Sequence, residues 1–183
     1  MKYNLYDFDG TIYDGDSMLD LIIYFSIRKP MIIVKLIYAS VRYLLGGSKE
    51  MFKTTIFNFI KDIDIDKYID DFWDKHIHKI KSFWLEKDDH SKDIIISASC
   101  DFWLDYIAKK YKIKKLICTK FDKKEGKVIG TNCHGKEKVR RFYEEFPNDK
   151  IKIMYTDSNA DLPVIDEAEE GIFVKKNKLI KYK

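Results

Sequence analysis

Short apolar runs alternate with helical stretches along this chain, and that alternation constrains the fold more than any other feature. Five runs have the character of buried strands: Tyr3–Phe8, Asp93–Ser97, Lys115–Thr119, Ile151–Thr156 and Gly171–Val174. Continuous apolar strands are typical of a parallel sheet covered by helices on both faces. With crossover helices predicted at Phe102–Tyr111 and Lys136–Glu145, we expect an α/β fold with a doubly wound, mostly parallel sheet.

Two stretches interrupt the alternation and predict hairpins. Lys120–Asp122 and Lys127–Ile129 flank a polar segment in which Gly126 can occupy the turn. A second hairpin is predicted in the Phe173–Tyr182 region, around Asn177.

A long helical insertion follows the first strand. Apolar residues recur at helical spacing in four stretches: Leu19–Tyr24, Met31–Leu45, Lys49–Ile60 and Tyr68–Leu85. We therefore predict a helical cap of residues 16–89, folded over the strand ends of a core formed by residues 1–15 and 90–183.

The Met31–Leu45 stretch allows three interpretations. Lys35 and Arg42 interrupt its apolar runs, whereas a spanning helix needs about 20 largely apolar residues, so a membrane span is disfavoured. Peripheral membrane contact through an apolar face flanked by bases is an alternative. We favour a buried cap helix whose basic side chains extend to solvent.

Composition excludes several classes of protein. Of 183 residues, 45% are hydrophobic and 35% charged, which is typical of a folded globular chain. The net charge is only +4 and lysines are interspersed with acids, so no nucleic-acid partner is expected. Cys100, Cys118 and Cys133 form no CxxC pair, and the N-terminus has no signal-peptide pattern. We expect a cytoplasmic protein; its oligomeric state is not encoded in any recognisable pattern.

Two aspartates follow the first apolar run. Asp7 and Asp9 can project from the same side of a strand end, and Gly10 lets the backbone turn directly after them. Paired carboxylates suit a hard cation such as Mg²⁺. One of them can also attack a phosphoryl group, although the spacing does not say which.

Four segments, taken in order, carry a resemblance to a known family. They are Asp7-Phe-Asp-Gly-Thr11, Ile94-Ile-Ile-Ser-Ala-Ser99, Gly135-Lys-Glu-Lys-Val139 and Met154-Tyr-Thr-Asp-Ser-Asn-Ala-Asp-Leu162. Together they resemble the motifs of the haloacid dehalogenase (HAD) superfamily of phosphohydrolases. The chain is most similar to the branch of phosphoserine phosphatase, whose cap is inserted after the first motif.

The resemblance implies roles for the acidic residues. Asp7 would be the nucleophile, and Asp9 the general acid that later serves as base. Mg²⁺ would be held by the Asp7 carboxylate, the backbone carbonyl of Asp9 and the Asp157 carboxylate. Asp161 would be an occasional or indirect metal ligand. Asp14, Asp16 and Ser17 follow the first motif and could face the leaving group; Asp16 matches the branch better and is the candidate substrate-binding residue.

The resemblance also implies a phosphate site. The Ser97 hydroxyl would donate to phosphate, and the backbone amide of Ala98 would add a second bond at the start of the next helix. Lys138 is the preferred lysine for stabilising charge on the phosphoryl oxygens, with Lys136 as the alternative.

These residues predict a Mg²⁺-dependent phosphatase that works through an aspartyl-phosphate on Asp7. The expected partner is a phosphorylated small molecule or a lipid headgroup. The alternatives are a membrane-lipid phosphatase, because some relatives with an apolar, basic cap act on phosphatidylglycerophosphate, and a phosphotransferase with the same chemistry. The substrate itself is not predicted, since specificity depends on the cap and the pocket.

Overall fold

The computed structural model describes residues 1–183, which form one seven-stranded sheet. The strands are β1 (Lys2–Tyr6), β2 (Asp93–Cys100), β3 (Lys115–Asp122), β4 (Lys127–Ile129), β5 (Lys150–Thr156), β6 (Ala168–Lys175) and β7 (Lys178–Lys181). Their order is β4-β3-β2-β1-β5-β6-β7. The five central strands are parallel, and the edge strands β4 and β7 are the antiparallel arms of the two predicted hairpins. The predicted doubly wound, mostly parallel sheet is confirmed.

Eight α-helices connect or cover the strands. They are α1 (Ser17–Arg28), α2 (Met31–Leu44), α3 (Lys49–Phe57), α4 (Ile65–His76), α5 (Ser82–Leu85), α6 (Asp101–Lys110), α7 (Lys136–Glu145) and α8 (Leu162–Glu167). Short 3-10 helices occur at Asn58–Asp62, Ile77–Lys79 and Asn159–Asp161. The insertion between β1 and β2 is therefore helical, as its periodicity predicts; the cap boundaries at residues 16 and 89 stay a prediction.

The sheet has a hydrophobic core on each face, and successive residues of a strand contribute to opposite cores. Ile95 belongs to a 29-residue cluster that also contains α6 and most of the inserted helices. Its neighbours Ile94 and Ile96 belong to a 12-residue cluster with Phe142 of α7 and Val164 of α8. The inserted helices thus share a hydrophobic core with one face of the sheet, because alternate residues point to opposite faces.

The predicted helix Tyr68–Leu85 is broken in the structure. It ends as α4 at His76, and the chain then forms a β-bridge between Ile80 and Tyr13. The amide of Lys81 donates to the carbonyl oxygen of Ile12 at 2.8 Å. Pairing with the segment after β1 replaces helical hydrogen bonds here, so the end of the insertion is tied to the loop that follows Asp9.

The second strand is longer than predicted. Instead of ending at Ser97, β2 runs to Cys100, with a shift of register against β3 between Ser97 and Cys100. Helix α6 begins only at Asp101. The prediction that the Ala98 amide lies at a helix start is therefore wrong, because side-chain hydrogen bonds hold this stretch as an irregular extension of the strand.

The preferred interpretation of Met31–Leu45 as a buried helix is also wrong. In α2 only Ile32 and Ala39 are buried, and most other apolar side chains of the helix are exposed. No helix in the structure is both long enough and apolar enough to cross a bilayer.

Helix α3 lies beside the carboxyl ends of the strands. The hydroxyl of Thr54 accepts a hydrogen bond from the amide of Val128 in β4 at 3.0 Å. The side-chain amide of Asn58 donates to the carbonyl oxygen of Gly126 at 3.3 Å. These contacts place the inserted helices next to the edge where ligands bind in open α/β sheets.

Candidate active site

A polar cavity of about 340 Å³ opens at the carboxyl ends of β1, β2 and β5. Eight of the predicted site residues line it: Asp7, Asp9, Asp16, Ser97, Ala98, Lys138, Asp157 and Asp161. Carboxyl ends of parallel strands meet at one edge of a sheet, so residues from distant motifs converge there.

Asp7 follows β1, and its amide donates to the carbonyl oxygen of Tyr155 at 2.9 Å, which continues the pairing of β1 with β5. Its Oδ1 accepts a hydrogen bond from Nζ of Lys138 at 2.9 Å, whereas Oδ2 has no hydrogen-bond partner in the protein. Burial raises the pKa of Asp7, and Asp161 adds to the rise, while the Lys138 ammonium opposes it. One carboxylate oxygen is thus hydrogen-bonded and the other is unpaired.

Lys138 stands in the first turn of α7 and is only 2% exposed. Its Nζ lies 2.8 Å from the Asp161 carboxylate as well as 2.9 Å from Asp7. Although burial disfavours the ammonium ion, the two carboxylates raise the pKa of Lys138, so the side chain stays charged. Lys136 is exposed, so Lys138 is the lysine of the pair that reaches Asp7.

Both carboxylate oxygens of Asp9 are held in place. The amide of Ser17 donates to Oδ1 at 2.6 Å, and the hydroxyl of Ser99 donates to Oδ2 at 2.5 Å. Burial raises the pKa of Asp9, and the two serine hydrogen bonds oppose that rise. Ser17 does not face a leaving group as predicted, because it is fully buried and its hydroxyl accepts a hydrogen bond from Trp103.

Asp161 holds Lys138. It is 2% exposed, and its carboxylate also accepts a hydrogen bond from the Thr156 hydroxyl at 2.8 Å. Since its oxygens already face an ammonium group and a hydroxyl, the geometry gives Asp161 the task of orienting Lys138. Its service as a metal ligand stays a prediction.

The turn after Asp9 brings Asp157 against the backbone. Gly10 has φ +73°, a left-handed conformation that side chains disfavour. A β-carbon at Gly10 would overlap the Asp157 carboxylate. Lys81 of the insertion is buried and donates to the Gly10 carbonyl oxygen. Glycine is therefore required here for conformation and for space.

The donor set fits a hard cation. Asp7 and Asp157 offer carboxylates, and Asp9 offers a backbone carbonyl, all oxygen ligands of the kind that Mg²⁺ prefers. No three acidic, histidine or cysteine side chains are grouped as a metal site. A set of two carboxylates and one carbonyl does not require three such side chains, and the missing side chain of Gly10 leaves room for the Asp157 carboxylate.

The remaining predicted residues, Ser97, Ala98 and Asp16, each form hydrogen bonds within the protein. Ser97 is 1% exposed, and its hydroxyl oxygen accepts from the Ser99 amide, which leaves its proton free for a ligand. The Ala98 carbonyl oxygen accepts from Thr119 at 2.6 Å. Asp16 caps α1 by accepting from the Leu19 amide at 2.9 Å, so it has a structural task besides any contact with substrate.

Several residues that position the site are marked by no pattern in the sequence. Lys53 of α3 is 5% exposed, lines the cavity and donates to the Ala98 carbonyl oxygen and to Asn132. Lys81 and Thr156 support Gly10 and Asp161. A lysine in an amphipathic helix is ordinarily a surface residue, so no local signal marks Lys53.

Solved structures share this fold at low sequence identity. A Bordetella pertussis Tohama I protein of unknown function aligns with a TM-score of 0.76 and 16% identity over 93% of this chain and 88% of its own. A phosphoserine phosphohydrolase-like protein from Francisella tularensis gives a TM-score of 0.57 and 14% identity, covering 97% and 88%. A probable phosphoserine phosphatase from Vibrio cholerae gives 0.54 and 11%, covering 94% and 56%.

Sequence comparison identifies the family. No curated protein sequence matches the chain significantly. The sequence model of the haloacid dehalogenase-like hydrolases matches residues 5–166, which contain all four motifs and every predicted site residue. Because that match covers most of the chain, the protein belongs to the haloacid dehalogenase-like hydrolase family.

Proposed function

We propose that the protein is a Mg²⁺-dependent phosphatase that hydrolyses a phosphate monoester through an aspartyl-phosphate on Asp7. The observation that carries the proposal is the pairing of Asp7 with the buried Lys138, beside an Asp9 carboxylate held on both oxygens. The fold shared with a phosphoserine phosphohydrolase-like protein and a probable phosphoserine phosphatase supports phosphate monoesters as the substrate class.

In the first step, an Asp7 carboxylate oxygen attacks phosphorus and the bond from phosphorus to the ester oxygen breaks. Oδ2 is the oxygen available for attack, because Oδ1 is hydrogen-bonded to Lys138. Asp9 gives its proton to the departing ester oxygen, and the raised pKa of Asp9 favours the protonated form that this requires. The products are an alcohol and phospho-Asp7.

In the second step, water attacks the phosphorus of phospho-Asp7. Asp9, now a carboxylate, takes a proton from the water, and the bond between phosphorus and the Asp7 oxygen breaks. Inorganic phosphate leaves, Asp7 is again a carboxylate and Asp9 is again protonated.

Charge on the phosphoryl oxygens needs stabilisation in both steps. Lys138 supplies a positive charge that is already oriented by Asp161, and the free Ser97 proton supplies a hydrogen bond. Asp7, Asp157 and the Asp9 carbonyl would hold Mg²⁺, which supplies charge neutralisation between the nucleophile and the incoming phosphate.

The test is hydrolysis of p-nitrophenyl phosphate with and without Mg²⁺, together with mass spectrometry of the acid-quenched enzyme. Wild type should turn over and carry a phosphoryl group on the peptide that contains Asp7. The Asp7→Asn variant should lose both the activity and the modification, whereas Asp9→Asn should lose turnover by about 10²–10⁴-fold. Equal turnover by wild type and Asp7→Asn would remove Asp7 from the mechanism.

A further inference from the structure

Helix α2 presents an apolar face to solvent. Two adjoining rows of exposed side chains run along it at spacings of three, four and seven residues: Ile33, Ile37 and Leu44 in one, and Val34, Tyr38, Val41 and Leu45 in the other. These side chains are 49–82% exposed. A surface helix of a globular protein normally turns such a face inward and a polar face outward, so this surface requires a covering partner. We call it the α2 face.

The charged residues in the chain segment that contains α2 have one sign. From residue 21 to residue 49 the chain contains no aspartate or glutamate and five bases. Arg28 is paired with Asp71, but Lys29, Lys35, Arg42 and Lys49 form no salt bridge within the protein. Lys35 and Arg42 are seven residues apart and therefore lie in one row beside the apolar rows. An apolar face whose own segment carries cations and no acids complements an anionic lipid surface.

A second cavity connects this region to the catalytic cavity. It measures about 270 Å³ and is predominantly apolar, with Tyr43 and Lys49 at the α2–α3 end. Met18, Lys53 and Ala98 line both cavities, so the two adjoin. An apolar chamber next to a phosphoryl-transfer site suits an ester whose alcohol is a hydrocarbon chain.

We propose that the α2 face docks on an anionic membrane surface and that the apolar cavity receives the hydrocarbon part of an amphiphilic phosphate monoester. The docking surface is inferred only from the exposure of the α2 side chains and the charge of their segment, whereas the substrate class rests on the proposed phosphatase function. A second copy of the chain covering the same face is the competing occupant, and the experiment separates the two.

Docking is tested by co-sedimentation of the full chain with phosphatidylglycerol-containing vesicles and with pure phosphatidylcholine vesicles. Wild type should bind only the anionic vesicles. Ile37→Ser/Leu44→Ser should abolish binding, and Lys35→Glu/Arg42→Glu should weaken it at least about tenfold. The matched controls Leu179→Ser/Ile180→Ser and Lys109→Glu/Lys110→Glu change exposed residues of the same chemical types elsewhere and should bind as wild type does.

Circular dichroism confirms that each variant is folded, and light scattering gives its mass. Absence of vesicle binding by wild type, or equal binding by the α2 variants, would overturn docking. A dimer that Ile37→Ser/Leu44→Ser converts to monomer would assign the face to a second copy instead.

The substrate class is tested with dodecyl phosphate in the same vesicles against butyl phosphate in solution. Wild type should show a kcat/KM at least about tenfold higher for the long-chain ester, and Ile37→Ser/Leu44→Ser should retain the activity on butyl phosphate. Equal kcat/KM for both esters would overturn the proposal that the substrate is amphiphilic. Hydrolysis of neither ester, with vesicle binding intact, would instead refute the phosphatase function and leave docking standing.

Discussion

Nζ of Lys138 lies 2.9 Å from Oδ1 of Asp7, although the two residues are 131 positions apart in the chain. The same ammonium group contacts Asp161, so one cation separates two buried carboxylates. Removal of that cation would leave two like charges in a site that water reaches poorly, which is costly for folding.

Lys138→Met should lower the free energy of unfolding by about 3–5 kcal/mol near neutral pH. It should also lower kcat by about 10²–10³-fold, because the phosphoryl oxygens lose their fixed positive charge. Denaturant titration and steady-state kinetics check the two effects. Lys136→Met, on the exposed side of the same helix turn, is the control and should change neither quantity; an equal effect of both variants would contradict the assignment.

The stability lost in Lys138→Met should return partly as pH falls. Burial raises the pKa of Asp7 above its ordinary value, and loss of the lysine removes the main opposing charge. A carboxyl group with a raised pKa in the folded state binds a proton that the unfolded chain has released, so stability rises as pH is lowered through that pKa. Urea unfolding between about pH 8 and about pH 5.5 should show a smaller difference from wild type at the acidic end.

Ser99→Ala should shift the pH profile of catalysis. The Ser99 hydroxyl donates to the Asp9 carboxylate and so favours the charged form. Without it, the pKa of Asp9 should rise further, and the limb of the kcat/KM profile that reports Asp9 should move to higher pH by about one unit. Ser91→Ala, whose hydroxyl donates to Asp89 on the surface, provides the comparison. An unmoved limb would show that Ser99 does not tune Asp9.

Gly10→Ala should weaken cation binding in addition to lowering stability through backbone strain. Gly10 and Gly130 have similar left-handed φ angles, +73° and +67°, but only at Gly10 would a β-carbon meet the Asp157 carboxylate. Both alanine variants should lose about 1–2 kcal/mol of stability to strain. Only Gly10→Ala should need a higher Mg²⁺ concentration for half-maximal activity, as measured by Mg²⁺ titration; equal titrations would mean that Asp157 is not a ligand.

Lys53→Met should raise KM more than it lowers kcat. Lys53 borders both cavities, and its charge attracts an anionic ester in the ground state and in the transition state alike. We expect about a tenfold increase in KM, of the size of one charge-assisted hydrogen bond. Lys49→Met, four residues earlier and lining only the apolar cavity, is the control. A loss confined to kcat would instead make Lys53 part of the chemistry.

Helices and strands were largely predictable, because local apolar patterns report which residues face a core. The four motifs lie near the ends of the strands predicted from the sequence, and their residues line one cavity in the structure. The exceptions have tertiary causes. The helix predicted through Ile80 is broken by pairing with Tyr13, and β2 continues past Ser97 because Ser99 and Ala98 bond to other elements.

The sequence by itself determined the α/β class, the family and the set of acids at the strand ends, since these depend on residue order and local periodicity. Only the tertiary structure decided that Lys138 rather than Lys136 reaches Asp7, and that Asp161 orients that lysine. It also decided that α2 exposes its apolar side. Residues two apart on a helix point in different directions, and which direction is buried depends on packing between segments far apart in the chain.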